Sequence, residues 1–410
     1  MKKIKLGDVC TINAATYSDS DSYDFVNYLD TGNITANHIE NIQQIDITQE
    51  TLPSRARRKV KFNSIIYSTV RPNQRHYGII KSLPENFLVS TGFAIIDADP
   101  EKIDANFLYY QMSRDEVVNN LQSIADQSTT AYPSIRPSDL SNLEFYVPSL
   151  ETQRKIGNFL WALDDKIALN KKINATLEAM AKTLYDYWFV QFDFPDKHSK
   201  PYKTSGGKMV YSSELGRDIP AGWKVGTLED FATYATKKIS SEKIPRNRYI
   251  ATDNMLPNAQ GVTVSQYEPS ESSVHEFTSG DVLLANIRPH FKKVWLAHFS
   301  GGCSSDVLVI RPKNFSEAEY IFSTLSRDDF FSYDVAGAKG TKMPRGDKVH
   351  IMSYPMLINN DLIERYVAFV RPMYFKLCKL HLESRRLAAL RDWLLPMLMN
   401  GQVDFKKGEN

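Results

Sequence analysis

The chain repeats itself, and that repeat limits the fold more than any other feature, because one architecture must then be built twice. KIKLGDVCTINAA (3–15) is echoed by KVGTLEDFATYAT (224–236). KFNSIIYSTVRPNQRHYGII (61–80) is echoed by EFTSGDVLLANIRPHFKKVWLA (276–297). DANFLYYQMSRDEVVNN (104–120) is echoed by EAEYIFSTLSRDDFFSY (317–333), and QSTTAYPSIRPSDL (127–140) by AGAKGTKMPRGDKV (336–349). EFYVPSLETQRKI (144–156) and MSYPMLINNDLIERYV (352–367) close the two copies. Matches in the same order along the chain make it a tandem duplication of roughly 200 residues per copy.

Each copy has two parts. Its first stretch of about 145 residues alternates short β-branched and aromatic runs with Gly, Pro and Asn, which predicts a mixed α/β domain. Its second is a long helix. In the first copy Ile156, Leu160, Leu163, Ile167, Asn170, Asn174, Leu177, Ala181, Leu184 and Trp188 are spaced alternately by four and three, the period of a coiled-coil seam. The second copy is less regular: Ile363, Val367, Val370, Tyr374, Leu377, then His381 and Ser384, then Leu387, Leu390, Leu394 and Leu398. Pro372 is expected to bend or restart that helix and Pro396 to fray its end. Polar seam residues near the middle of both helices predict an antiparallel two-helix coiled-coil spacer, with two similar α/β domains related by a pseudo-twofold axis. At about 1.5 Å per residue the first seam spans roughly 50 Å, enough to separate two half-sites on a duplex.

A chain of 410 residues exceeds one ordinary core, and 42% apolar with 24% charged residues is normal globular composition. No apolar run is long enough to span a bilayer, and no h-region follows the basic start, so no membrane association and a cytoplasmic location are expected. Cys10, Cys303 and Cys378 lie far apart and read as free thiols. A net charge of +2 announces no global attraction to nucleic acid, although SRARRKVK (54–61) and KKISSEKIPRNR (237–248) are locally basic. A charge cluster of this kind is usually a solvated face, so charge alone does not settle the partner.

Catalytic patterns are missing. GAKGTK lacks the spacing of a phosphate-binding loop, and no G-x-G-x-x-G opens a helix. There is no H-E-x-x-H, no G-x-S-x-G elbow, and the eight histidines are scattered, so no catalytic residue and no metal ligand is assigned. The Asp-Asp pairs at 164–165 and 328–329 read as solvated helix faces.

Binding patterns are present instead. Both copies keep Arg-Pro after an apolar strand, while NQRHYG becomes HFKKVW. A retained frame with changed contact residues suits a reader of two different half-sites. Arg and Lys reach guanine, and Asn and Gln reach adenine. The candidate DNA-binding residues here are Arg71, Asn73, Gln74, Arg75 and Tyr77, and in the second copy Arg288, His290, Lys292 and Lys293. The loops that follow add Thr129, Thr130 and Tyr132, and Lys339, Thr341 and Lys342, as phosphate donors. Arg55, Arg57 and Arg58 add sequence-independent phosphate contacts. The alternative is that Arg71 and Arg288 pair with structural carboxylates and the loops are plain surface.

Three longer stretches carry a family resemblance. ETQRKIGNFLWALDDKIALNKKINATLEAMAKTLYDYWFVQFDFPD (151–196) resembles the central conserved region of the specificity (S) subunits of Type I restriction–modification systems. SELGRDIPAGWKVGTLEDF (213–231) resembles the approach to their second target-recognition domain, and LESRRLAALRDWLLPMLMNGQVDF (382–405) their C-terminal helical repeat. The resemblance implies target-recognition domains at 1–147 and 196–356, the second including a linker, with conserved helical regions at 148–195 and 357–410. It implies a non-catalytic subunit that reads a bipartite double-stranded DNA target. Its partners would be two methyltransferase (M) subunits, which carry S-adenosylmethionine, and motor-nuclease (R) subunits; the chain itself would hold no cofactor. YDYWFVQFDF (185–194) reads either as part of the docking surface or as a hydrophobic cap between helix and domain. The rival readings are a two-headed DNA-binding adaptor outside restriction–modification and a nuclease with dispersed carboxylates.

Overall fold

A computed structural model of the chain describes residues 1–18, 20–127, 133–340 and 342–403. It divides into two compact units, Met1–Leu169 with Glu383–Asn410, and Asn170–Leu382.

In the first unit the apolar run after Asn63 becomes the strand Ile65–Ser68, inside the antiparallel order Cys10–Ile12, Phe93–Ala98, Ile65–Ser68, Tyr77–Ile79. All four residues of Ile65–Ser68 are buried, because both faces of this sheet are covered. Side chains alternate between faces. Ile65, Tyr67, Ala94 and Ile96 enter a core with the helices Ala105–Met112 and Asp115–Asp126, while Ile66, Phe93 and Ile95 enter one shared with Leu29, Phe87 and Val89. The latter residues belong to a second sheet ordered Gln43–Asp46, Phe25–Leu29, Phe87–Ser90, Ala56–Lys59, in which Phe87–Ser90 runs parallel to Phe25–Leu29. A short ladder of Lys2–Lys5 with Glu144–Val147 closes the unit.

The second unit repeats this order. Ala232–Tyr234, Val307–Pro312, Val282–Ala285 and Val294–Leu296 form the covered sheet, and Lys224–Thr227 pairs with Pro355–Ile358 as the closing ladder. The same alternation holds: Val282 and Leu284 face the helical core, while Leu283 and Ala285 face the other.

The two long helices, Leu150–Tyr185 and Asn360–Met399, pack together within each unit. In the first unit Ile156 and Leu160 share a core with Leu398 and Met399, and further along Asp164 meets Arg391 and Lys166 meets Glu383, so the pairing is antiparallel. In the second unit the Tyr366 hydroxyl donates to the Ala181 carbonyl and Trp188 packs on Tyr366. Every seam position read from the first helix is buried or half-buried.

The second helix corrects three expectations. His381 and Leu390 are exposed, and the seam runs instead through Leu377, Leu380, Ser384, Leu387, Arg391, Leu394 and Leu398, an unbroken alternation of three and four. Pro372 neither restarts nor ends the helix; it is exposed, so the backbone bond it cannot make lies where water replaces it. The helix also passes Pro396. The stretch 185–194 is a cap: Tyr185, Trp188, Phe189, Phe192 and Phe194 are all buried in the core of the second unit. Cys10, Cys303 and Cys378 are free thiols. Among the described residues no helix is long and apolar enough to cross a membrane.

Candidate nucleic-acid interface

Each unit builds the Arg-Pro motif into the same turn. Arg71 and Arg75 bracket the short helix Pro72–Gln74 with φ of 48° and 57°, and Arg288 and Lys292 bracket Pro289–Phe291 with φ of 51° and 53°. Left-handed backbone at a non-glycine residue is uncommon and costs energy, so four such residues at matching positions mark a geometry the fold enforces. Proline suits the first position, where its missing N–H would have no helical partner. The turn then closes when the Arg75 N–H donates to the Pro72 carbonyl at 3.0 Å, and the Lys292 N–H to that of Pro289 at 2.8 Å.

Two further segments hold this turn. The Arg71 N–H donates to the Pro133 carbonyl at 3.0 Å, and the Arg288 N–H to that of Pro344 at 2.8 Å, so the polar loop that follows in sequence is brought to the turn in both units. From the other side a hairpin docks. In the first unit the N–H groups of Ala36 and Asn37 donate to the carbonyls of Arg75 and Tyr77. In the second, those of Asn258 and Ala259 donate to the carbonyls of Phe291 and Lys292. All four hairpin residues have positive φ. These hairpins, LDTGNITANHI (29–39) and IATDNMLPNAQGV (250–262), are a further pair of repeats that sequence reading missed. The weak signal was T-x-N followed four residues later by Asn.

The turns expose different side chains. Arg71, Asn73 and Gln74 are exposed in the first unit, and Arg288, His290 and Phe291 in the second. Among the described residues Arg288 has no ion-pair partner, and Phe291 is 42% exposed, an aromatic that sequence reading did not select. Other selected residues point elsewhere. Tyr77 is buried and stacked on Tyr67 with ring centroids 5.3 Å apart, so it belongs to the core. Lys293 is half-buried and donates to the Thr252 carbonyl at 2.5 Å, and that burial holds its pKa below the usual lysine value. Arg75 and Lys292 each meet a carboxylate, Asp115 and Asp328, at 2.6 Å.

Arg55, Arg57 and Arg58 lie on or beside the strand Ala56–Lys59. The Arg55 carbonyl accepts from Thr91, and the neighbouring Gly92 carbonyl accepts from Thr69, two residues before Arg71, so a continuous backbone path joins Arg55 to the turn. Arg55 is exposed; Arg57 lies 5.6 Å over the Tyr17 ring, and Arg58 is half-buried with its Nε unpaired among the described residues. Lys339 pairs with Asp347, whose carboxyl the lysine holds down to about 2, while Lys342 is exposed. Thr129, Thr130, Tyr132 and Thr341 lie outside the described residues. The 237–248 cluster is largely tied up: Lys237 pairs with Glu276, Arg246 with Glu268, and Arg248 donates to the Ser300 carbonyl.

The Asp-Asp pairs are not simple solvated faces. Asp164 meets Arg391 and accepts from the Tyr110 hydroxyl, Asp328 holds Lys292, and Asp329 holds Arg327.

Residues 1–179 match the family model for the Type I restriction modification DNA specificity domain. The chain is 23% identical to the Type I restriction enzyme HindI specificity subunit of Haemophilus influenzae, over 98% of this chain and 99% of that one. It is 26% identical to the MjaIX specificity subunit of Methanocaldococcus jannaschii, over 73% of this chain and 69% of that one. Its fold is that of the Type I restriction–modification S subunit from M. genitalium, with a TM-score of 0.61 at 14% identity over 97% and 95% of the two chains. Over nearly its whole length the chain is similar to the specificity subunits of Type I restriction–modification systems, and its residues 1–179 carry the match to their DNA specificity domain.

Proposed function

We propose that each unit reads one half of a split, asymmetric double-stranded DNA target. Residues 1–147 and 196–356 act as the readers, and the helical regions 148–195 and 357–410 dock two methyltransferase subunits. Motor-nuclease subunits join the larger complex, and S-adenosylmethionine sits on the methyltransferase. The observation that carries this reading is the Arg-Pro turn, built twice on the same left-handed frame with different exposed residues. A shared frame gives both units one way to approach a groove, and Arg71, Asn73 and Gln74 offer base edges a different donor and acceptor set from Arg288 and His290. Arg55, Arg57, Lys339 and Lys342 add phosphate contacts that make binding salt-dependent.

The test is to map methylated bases in host DNA with the gene present and deleted. Loss of one split motif on deletion supports the reading. An unchanged methylation pattern, or loss of an uninterrupted motif, contradicts it.

A further inference from the structure

The motif Ser-Arg-Asp occurs once in each unit, at 113–115 and 326–328, and its last two residues bind different elements. The arginine grips a long helix near its end. Arg114 donates to the Asn400 side-chain oxygen at 3.1 Å, and Arg327 donates to Asp186. The aspartate opens the next helix, Asp115–Asp126 or Asp328–Gly337, and grips the last residue of the Arg-Pro turn. Adjacent residues thus tie the turn to the helix end twice over, with different partners in detail.

The carboxylate contact has an unusual character. Asp115 and Asp328 are 76% and 80% exposed at the side chain, whereas the cations they hold, Arg75 and Lys292, are 40% and 34% exposed. Pairs this open contribute little to stability. The fold keeps the pair nonetheless when the cation changes from Arg to Lys, at the same 2.6 Å. A carboxylate oxygen at that distance supplies the charge and the acceptor geometry of a phosphate oxygen. Both aspartates lie beside the turn that carries the proposed base contacts.

We propose that Asp115 and Asp328 are built-in phosphate surrogates. In the free protein they hold Arg75 and Lys292; on DNA they give up these cations to backbone phosphates. Each unit therefore gains a phosphate contact only by surrendering an internal ion pair, which lowers the attraction to any duplex and leaves base contacts to decide between sites. Sequence-independent affinity comes almost entirely from phosphate neutralisation, so suppressing one such contact per unit weakens and shortens the hold on DNA that lacks the target. The inference rests on the DNA-reading role proposed above and names a device that tunes it.

The experiment uses the complex of the chain with its methyltransferase subunits and two duplexes, one carrying the methylated motif and one lacking it. Asp115→Asn and Asp328→Asn, alone and together, remove the surrogate charge at nearly constant size. Affinity for the motif-free duplex is expected to rise about three- to tenfold per site, and the log K against log salt line to steepen by up to about one unit, the increment for one further phosphate contact. Affinity for the motif-bearing duplex is expected to rise by the same factor, because the exchange is made on any duplex. Adding Arg75→Ala to Asp115→Asn abolishes the gain, which a purely structural tie would not predict. Unchanged or weaker binding to the motif-free duplex, with an unaltered salt slope and an unaltered melting transition, overturns the proposal. If the unmodified complex shows no preference between the duplexes, the DNA-reading role itself fails, a result separate from the behaviour of the aspartate variants.

Discussion

Arg391 occupies a seam position of the second long helix and directs its guanidinium to Asp164 of the first, which also accepts the Tyr110 hydroxyl. The side chains are 29% and 22% exposed, so the pair is largely withdrawn from water. A charged pair inside a helix seam specifies which residues must meet, at some cost compared with an apolar pair. Removing Asp164 leaves Arg391 only the solvent-exposed Asp392, which it meets at 2.7 Å. Asp164→Ala is expected to destabilise the first unit by about 2 kcal/mol, less than a fully buried pair because solvent still reaches both groups. The double replacement Asp164→Leu with Arg391→Met is expected to recover most of that loss. Urea denaturation of the four species of the cycle checks both, and a double variant no better than the single one would contradict the account.

Asp334 predicts a pH dependence confined to the second unit. Its side chain is buried and its Oδ1 has no partner among the described residues, as is also true of Asn286 Oδ1. The Cβ that Gly346 lacks would fall 2.4 Å from the first oxygen and 3.0 Å from the second. The corresponding residues of the first unit, Leu121 and Ile135, fill this place with hydrocarbon. Burial pushes the Asp334 carboxyl up to about 6, offset in part by His350. Folding therefore favours the protonated form. Stability from this group is fully present below the ordinary carboxyl value near 4 and is lost as pH rises through about 6, on the order of 3 kcal/mol in all. Asp334→Asn is expected to flatten stability against pH over that window, measured by thermal melts at stepped pH. An unchanged profile would show that the carboxyl is not desolvated.

Gly78 predicts a local dependence on the missed hairpin. An added Cβ would lie 2.7 Å from Ile34 Cδ1 and from Asn37 Oδ1, and that oxygen accepts the Ile79 N–H. Gly78→Ala is expected to push the hairpin off the turn, costing about 1–3 kcal/mol as an overpacked site does. Recognition should weaken in the half-target read by the first unit alone, seen as altered methylation at that half. Wild-type methylation with normal stability would mean that the hairpin does not hold the turn.

The repeat was legible because it rests on local chemistry: an Arg-Pro turn, a Ser-Arg-Asp motif and an apolar strand recur with little change. The first helix was legible because its period is kept over its whole length, even through Asn170 and Asn174. Elsewhere tertiary structure decided. Arg391 was passed over for Leu390 because an apolar residue seemed the natural seam member, and only the facing Asp164 explains the charge. Tyr77 and Lys293 follow polar residues in sequence, yet strand alternation turns Tyr77 inward and burial claims half of Lys293. The hairpins escaped because they place Ala36, Asn37, Asn258 and Ala259 at positive φ without the Asn-Gly or Asp-Gly pair that usually signals such a turn.

The division of labour between the units is tested most directly by mapping methylated bases in cells that carry Arg71→Ala or Arg288→Ala in place of the natural chain. Each variant is expected to relax or abolish recognition in one half of the split motif, a different half for each, at about 1–3 kcal/mol of lost discrimination, with the other half unchanged. Equal degradation of both halves by either variant would contradict it.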